Sequence, residues 1–303
     1  MKRHLHLLVI DPQNDFCDLP PSYLPENPAT KTARAPALAV PGAHEDMLRL
    51  AGLINRGRHG IGAISVTLDS HHRYDIAHPT FWRNAEGVAP PPFTEIVAAD
   101  VRTGRWLPRA ADAVPRVLDY LDTLERHGRY RLMVWPVHCE TGSWGHNVHE
   151  DVRAAYNRWE DATQRIVAKV AKGSNPWTEH YSAVMAEVPD PLDPATQLNE
   201  ALIGSLLAAD QVFIAGEAGS HCVKATTEHI VEQFAARLGE DSLSRLVLVT
   251  DCISPVDGFD EQYQAFLQAM RMRGVSAMQS GDVLQALLAN GAGKPAQAAE
   301  ARP

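Results

Sequence analysis

Six short apolar runs set the frame of this chain: HLHLLVI (4–10), IGAISVTL (61–68), RLMVW (131–135), QVFIAG (211–216), RLVLVT (245–250) and VSAM (275–278). Their hydrophobicity is continuous rather than alternating, which is the signature of strands covered on both faces. Helical patterns separate most of them. Met47, Leu50, Ala51 and Ile54 share one helical face, as do Val114, Val117, Leu118 and Leu121, and later Phe259, Tyr263, Phe266, Leu267 and Met270. Gly128 and Gly274 stand where the second and third of these helices should stop. Strand, helix, strand in repetition predicts a three-layer αβα fold around a central parallel sheet of about six strands.

Three stretches break the rhythm. Residues 18–42 hold six prolines, residues 83–96 include APPPF, and the last fifteen residues are mostly Ala, Gly, Pro and Gln. The first two read as long surface loops and the third, 289–303, as a disordered tail. With no internal repeat and no composition break, residues 1–288 read as one domain carrying insertions near 18–42 and 83–115. The net charge of -9 leaves no basic footprint for nucleic acid or anionic lipid, so a small molecule is the expected partner. LHLLVI is too short for a signal peptide and no run reaches membrane-spanning length, which points to the cytoplasm. The four cysteines, Cys17, Cys139, Cys222 and Cys252, form no CxxC pair and suggest neither a disulfide framework nor a thiolate zinc site.

Ligands of an open parallel sheet bind beyond the carboxyl ends of its strands. Asp11 stands there after the first run, Asp69 after the second, Trp135 and His138 after the third, and the segment leading to Cys222 after the fourth. Cys222 opens a helical pattern (Val223, Thr226, Ile230, Phe234), where free N–H groups favour a thiolate, although buried cysteine more often serves as a small hydrophobe. Asp11 either faces the cleft or merely starts a turn before Pro12. Lys172, on its own, reads as a solvated lysine. Asp69, His71 and His138 offer a mixed O and N set suited to Zn, Fe or Mn, or else belong to a polar loop. Phe16 and Trp135 either wall a flat ring or pack as core, and His72, His146 and His149 read as surface residues.

Taken in order, VIDPQNDFC, TLDSH, WPVHCETGSWG, AKGSNPWTEHYSA and GEAGSHCVKAT closely resemble the motifs of the nicotinamidases, within the isochorismatase-like cysteine hydrolases. The resemblance spans residues 4 to 256. It implies a catalytic triad of Asp11, Lys172 and Cys222, a divalent metal (Zn first, with Fe or Mn as alternatives) on Asp69, His71 and His138, and a pyridine slot between Phe16 and Trp135. It further implies a cis peptide at Glu217–Ala218 and an oxyanion hole made by the N–H groups of Ala218 and Cys222. The implied reaction is hydrolysis of nicotinamide to nicotinate and ammonia through a cysteine thioester, a step of NAD salvage. A homo-oligomer is compatible with the resemblance, although no interface is readable.

Two departures stand out. His72 replaces the Pro that usually follows DxH, which moves the next histidine, His78, one residue out as a candidate fourth ligand. Ser220 stands where Asp is frequent, so the nucleophile loop should be wired differently. The insertions bear more on the substrate than on the reaction. The rival readings are a cysteine amidase for another small amide or carbamoyl compound, and a catalytically silent binding protein. On the second, Cys222 should react with alkylating agents no faster than an ordinary exposed cysteine, whereas a nucleophile of lowered pKa should react faster.

Overall fold

Burial on both faces is what the first apolar run demands, and Leu5–Ile10 obtains it: every residue of this strand is buried. The structure is a computed structural model that describes residues 2–292. In chain order the strands are β1 (Leu5–Ile10), β2 (Ala63–Asp69), β3 (Trp82–Arg83), β4 (Thr94–Ile96), β5 (Leu107–Pro108), β6 (Leu132–Val134), β7 (Ala168–Lys172), β8 (Gln211–Gly216), β9 (Leu246–Val249) and β10 (Ser276–Met278). The helices are α1 (Ala43–Gly57), α2 (Ala98–Thr103), α3 (Val114–His127), α4 (Glu150–Thr163), α5 (Glu200–Leu207), α6 (Cys222–Leu238), α7 (Asp260–Met272) and α8 (Ser280–Gly291).

Six strands form the central sheet in the order β10-β9-β8-β1-β2-β7, every neighbouring pair parallel. Helix α1 packs with α4 and α8, while α6 packs with α5 and α7, giving a helical layer on each face. The expected three-layer αβα fold is therefore present. Sequence order runs outward in one direction from β1 through β2 to β7, and in the other from β8 through β9 to β10. The reversal between β1 and β8 opens a crevice at the carboxyl ends of those two strands, the place where such sheets bind ligands. Gly216, the last residue of β8, has φ +117°, and a Cβ there would come within 2.0 Å of the Ile10 carbonyl oxygen. Glycine is what lets the two central strands close up at this point.

One predicted strand is misplaced. RLMVW supplies β6, but β6 pairs antiparallel with β4, Ile96 opposite Leu132 and Thr94 opposite Val134, outside the central sheet. The sixth sheet position belongs to β7, which pairs with β2 along Ser65–Asp69. As an edge strand β7 leaves Ala168, Lys169 and Ala171 exposed, so it lacks the continuous apolar run that marks its neighbours. The insertion near 83–115 builds its own apolar cluster, in which Val117 and Leu121 of α3 pack with Phe81, Trp82, Ile96, Leu132 and Val134.

The first insertion is only partly a surface loop, since Leu38 and Val40 join the main core. Their anchors are backbone bonds from Leu38 N–H to Asp15 O (3.0 Å) and from Val40 N–H to Phe16 O (3.0 Å). Of the predicted tail, residues 289–291 belong to α8, and 293–303 lie outside the described residues. No described helix is long and apolar enough to cross a membrane.

Candidate active site and metal centre

Pro12 ends β1 by removing a donor from the ladder, and Asp11 turns at φ 42° into the crevice. Thr67 of β2 holds it there: its Oγ1 accepts the Asp11 N–H at 3.0 Å and donates its hydroxyl proton to Oδ1 at 2.5 Å. The other carboxylate oxygen, Oδ2, lies 3.0 Å from Lys172 Nζ. That approach is off the direction of a hydrogen bond, and Oδ2 has no aligned donor among the described residues. Lys172, the last residue of β7, spends its ammonium protons elsewhere: on Asp69 Oδ1 (2.8 Å), the His180 carbonyl (3.0 Å) and Cys222 Sγ (3.6 Å). Far from being solvated, this lysine is 2% exposed.

Cys222 is the first residue of α6, so its N–H is one of those a helix leaves unpaired. The Ala218 carbonyl accepts from His221 N–H and Val223 N–H at 3.0 and 3.1 Å. Neither the Ala218 N–H nor the Cys222 N–H has an acceptor among the described residues. The Glu217–Ala218 peptide is cis, at the position the motif resemblance implied. Two free donors thus flank one buried thiol.

Charge in this cluster follows from burial. Burial pushes the Cys222 thiol well above its ordinary range, the Lys172 cation opposes this, and the nearby Asp11 and Asp69 carboxyls add to the rise. Burial also raises Asp11, against the pull of Lys172. Burial works against the Lys172 charge, but Asp11 and Asp69 outweigh it and hold the ammonium protonated. At rest Cys222 is therefore a thiol, held with the Asp11 carboxyl around the Lys172 ammonium. This revises the expectation of a low-pKa cysteine: at 6% exposure and with a raised pKa, Cys222 should alkylate slowly even where it is a nucleophile.

Behind Asp11, Lys172 and Cys222, the side chains of His71, His78 and His138 converge in burial, with a possible ligand atom from each within 4.8 Å of the others. Each ring has an outer oxygen at Nδ1: Asp75 Oδ2 for His71 (3.1 Å), the His72 carbonyl for His78 (3.1 Å) and the Pro136 carbonyl for His138 (2.8 Å). With the Nδ1 proton given to these oxygens, each ring would present Nε2 as a lone-pair donor to a bound metal. Asp69 Oδ2 faces two of these nitrogens, 3.1 Å from His71 Nε2 and 3.2 Å from His138 Nε2. Burial and the neighbouring rings drive the His78 pKa down to about 2, so this ring stays neutral. Three outer-anchored imidazoles and one carboxylate are a donor set that suits a divalent transition metal such as zinc.

The two sites meet at a narrow cavity of about 20 Å³, lined by Phe16, Trp135, Tyr181, His138, His221 and Cys222 among others, room for about one water molecule, so a ring can enter only if these side chains part. Trp135 donates its Nε1–H to the Tyr181 hydroxyl at 3.0 Å, and Phe16 meets His138 edge-on with centroids 5.5 Å apart. Asp11, Lys172, Cys222, Asp69, His71, His138, His78, Phe16 and Trp135 are thus brought together. Sequence reasoning missed Thr67, Asp75 and Tyr181; of these only Asp75, four residues after His71, carried a spacing signal. It also misread His149, which is fully buried. Its Nδ1 accepts the Asp151 N–H at the start of α4, and its Nε2 lies 2.9 Å from His44 Nδ1.

No protein-family model matches the chain, and no curated protein matches it in sequence. Solved structures match it in fold. A nicotinamidase/pyrazinamidase from Acinetobacter baumanii superposes with TM-score 0.58 at 20% identity, over 93% of this chain and 98% of that one. Yeast nicotinamidase Pnc1p bound to the inhibitor nicotinaldehyde gives TM-score 0.58 at 20% identity, over 91% and 99%. PnC1 from L. infantum, in complex with nicotinate, gives TM-score 0.52 at 19% identity, over 93% of this chain and 95% of that one. The chain therefore has the fold that the nicotinamidases share, as the order of its motifs implied.

Proposed function

We propose that the chain is a metal-assisted cysteine amidohydrolase that converts nicotinamide to nicotinate and ammonia. One observation carries the reading: Lys172 Nζ sits 3.0 Å from Asp11 Oδ2 and 3.6 Å from Cys222 Sγ, and Cys222 lines an aromatic-walled cavity together with His138. Fold likeness to nicotinamidases supports the substrate class.

Asp11 Oδ2 takes the thiol proton as Cys222 Sγ attacks the carboxamide carbon, and Lys172 stabilises the sulfur charge. The developing oxyanion is met by the Ala218 and Cys222 N–H groups. Collapse breaks the C–N bond, Asp11 gives its proton to the leaving nitrogen, ammonia departs and a thioester remains. Asp11 then takes a proton from water as the water oxygen adds to the acyl carbon. The C–S bond breaks, the proton returns to sulfur, and the carboxylic acid leaves. Asp69, His71, His78 and His138 would hold the metal, and a divalent ion there supplies a docking point for the ring nitrogen, an orienting role. Phe16 and Trp135 would sandwich the ring.

The test is ammonia release from metal-replete protein given nicotinamide beside a panel of aromatic and aliphatic amides. Release strongest with nicotinamide supports the reading. Release from another amide alone keeps the chemistry and moves the substrate, and release from none removes the enzyme reading.

Two further outcomes are expected. Metal analysis should find about one ion per chain; His138→Ala should lose most of it, and Asp75→Asn, which frees the His71 ring, should weaken affinity by roughly 10–100-fold. Full metal retention in both variants would exclude this ligand set. In the pH profile of kcat/KM, activity should fall on the acid side as Asp11, raised by burial, takes up the proton it must accept from the thiol. A rate independent of pH down through the carboxylate range would exclude Asp11 as the base.

A further inference from the structure

The loop that carries the two free N–H groups is fastened to residues 254–256 at three points. Glu217 Oε2 accepts the Ser254 N–H at 3.2 Å, Gly219 N–H donates to the Ser254 carbonyl at 2.8 Å, and Ser220 Oγ accepts the Val256 N–H at 3.1 Å. Ser254 in turn donates its hydroxyl to Asp46 Oδ2 of α1 at 2.5 Å. The residues on either side of Ala218 therefore hang on one serine, and that serine hangs on α1. Ser220 performs its part with a neutral hydroxyl, the different wiring that its place in the sequence foretold.

Glu217 is the unusual member. Its carboxyl is fully buried and is 0% exposed. No cation bonds to it among the described residues, and its Oε1 has no hydrogen-bond partner there. A second buried carboxyl, that of Asp46, converges on the same serine, with Glu217 Oε2 on the Ser254 N–H and Asp46 Oδ2 on its hydroxyl. Asp46 is already an acceptor twice over, from Ser254 Oγ and from Arg49 at 2.5 Å, so it holds the negative charge. Two carboxylates cannot both stay ionised at such close quarters in the interior. A proton between them removes the repulsion and gives the orphaned oxygen a bond.

We propose that Glu217 is a positioning residue for the oxyanion-binding loop, kept as a neutral carboxylic acid that donates to Asp46 while accepting from Ser254. The Ala218 peptide is then fixed beside Cys222 before substrate arrives. Burial first, and the Asp46 charge second, hold the Glu217 pKa well above the carboxylate range, in keeping with that protonation state. Glutamine reproduces the pattern, with one oxygen to accept and one NH₂ to donate; leucine keeps the bulk and loses both bonds.

The test has two arms. The first is an infrared difference spectrum at neutral pH, wild type minus Glu217→Gln, which should contain the carbonyl band of a protonated carboxyl. Its absence overturns the proposal. This arm uses wild type and a near-isosteric variant and reads no turnover, so it decides whether or not the chain is an amidase. The second arm rests on the amidase reading. With nicotinamide, Glu217→Leu should lower kcat by roughly tenfold or more with KM within about twofold, because the lost contact acts in the transition state. Glu217→Gln should recover most of that loss. Wild-type kcat in the leucine variant overturns the positioning role, and a glutamine variant as slow as leucine overturns the neutral acid. A wild-type protein that turns over no amide, yet shows the band, fails the functional reading and leaves the carboxyl pair standing.

Discussion

Cys222→Ala is expected to lower amide turnover by at least about 10³-fold, because the residual rate then comes only from bound geometry and the oxyanion donors. Stability should hardly change. The side chain removed is one sulfur atom at the cavity wall, and its loss relieves the cost of a buried thiol between Asp11 and Lys172. Metal content should also stay at the wild-type level, since Cys222 is not among the three clustered histidines. Rate, denaturation midpoint and metal stoichiometry measured on one preparation separate the cases. Loss of rate with the other two unchanged identifies the nucleophile. A rate near wild type would transfer the chemistry to a water molecule and remove the thioester from the mechanism. Loss of all three together would make Cys222 a core residue.

The readable part of this fold was the part whose residues face one environment along their whole length. β1, β8 and β9 lie in the interior of the sheet, and their runs stand out because nearly every position is buried and apolar, His6 being a polar exception that bonds to Ser65. β7 lies at the edge, where exposure along most of the strand erases the signal, and it took its partners from β2 rather than from anything nearby in sequence. RLMVW carried the right hydrophobicity for a strand and the wrong partner, since the insertion offered β4 as a closer match. Local patterns report burial. They do not report which neighbour supplies it.

The site divides the same way. That the candidate triad and metal residues would lie together was legible because five separate motifs, each weak alone, occurred in one order. What the motifs could not convey is how those residues are held. Thr67 reaches Asp11 across 56 positions and Ser254 reaches Asp46 across 208, so no window of sequence contains both partners. Lys172 looked like a surface residue for the same reason. Only the fold reveals that two carboxylates, 11 and 69, surround its ammonium.

Lys172→Met should therefore do more than stop catalysis. Asp11 and Asp69 are 0% and 3% exposed, and Lys172 pairs with both, at 3.0 and 2.8 Å. Removing the cation strands two anions in the interior, and breaking a buried pair in this way costs roughly 3–5 kcal/mol. The deficit should depend on pH with a definite sign. Without Lys172 the folded-state pKa of Asp11 rises further above its unfolded value, so the folded state keeps a proton that the unfolded state gives up. Stability is then lost as pH rises through the carboxylate range, and the gap to wild type should be wider at alkaline pH than at mildly acidic pH. Asp11→Asn in the same chain should recover part of the loss, because it removes one of the stranded charges; the two substitutions should be non-additive. Denaturant midpoints of the two single variants and the double variant, at one acidic and one alkaline pH, test this. If Lys172→Met unfolds at the wild-type midpoint at both, Asp11 is already a neutral acid in the native protein. It could not then take the thiol proton, and the base that activates Cys222 would have to be found elsewhere in the cavity.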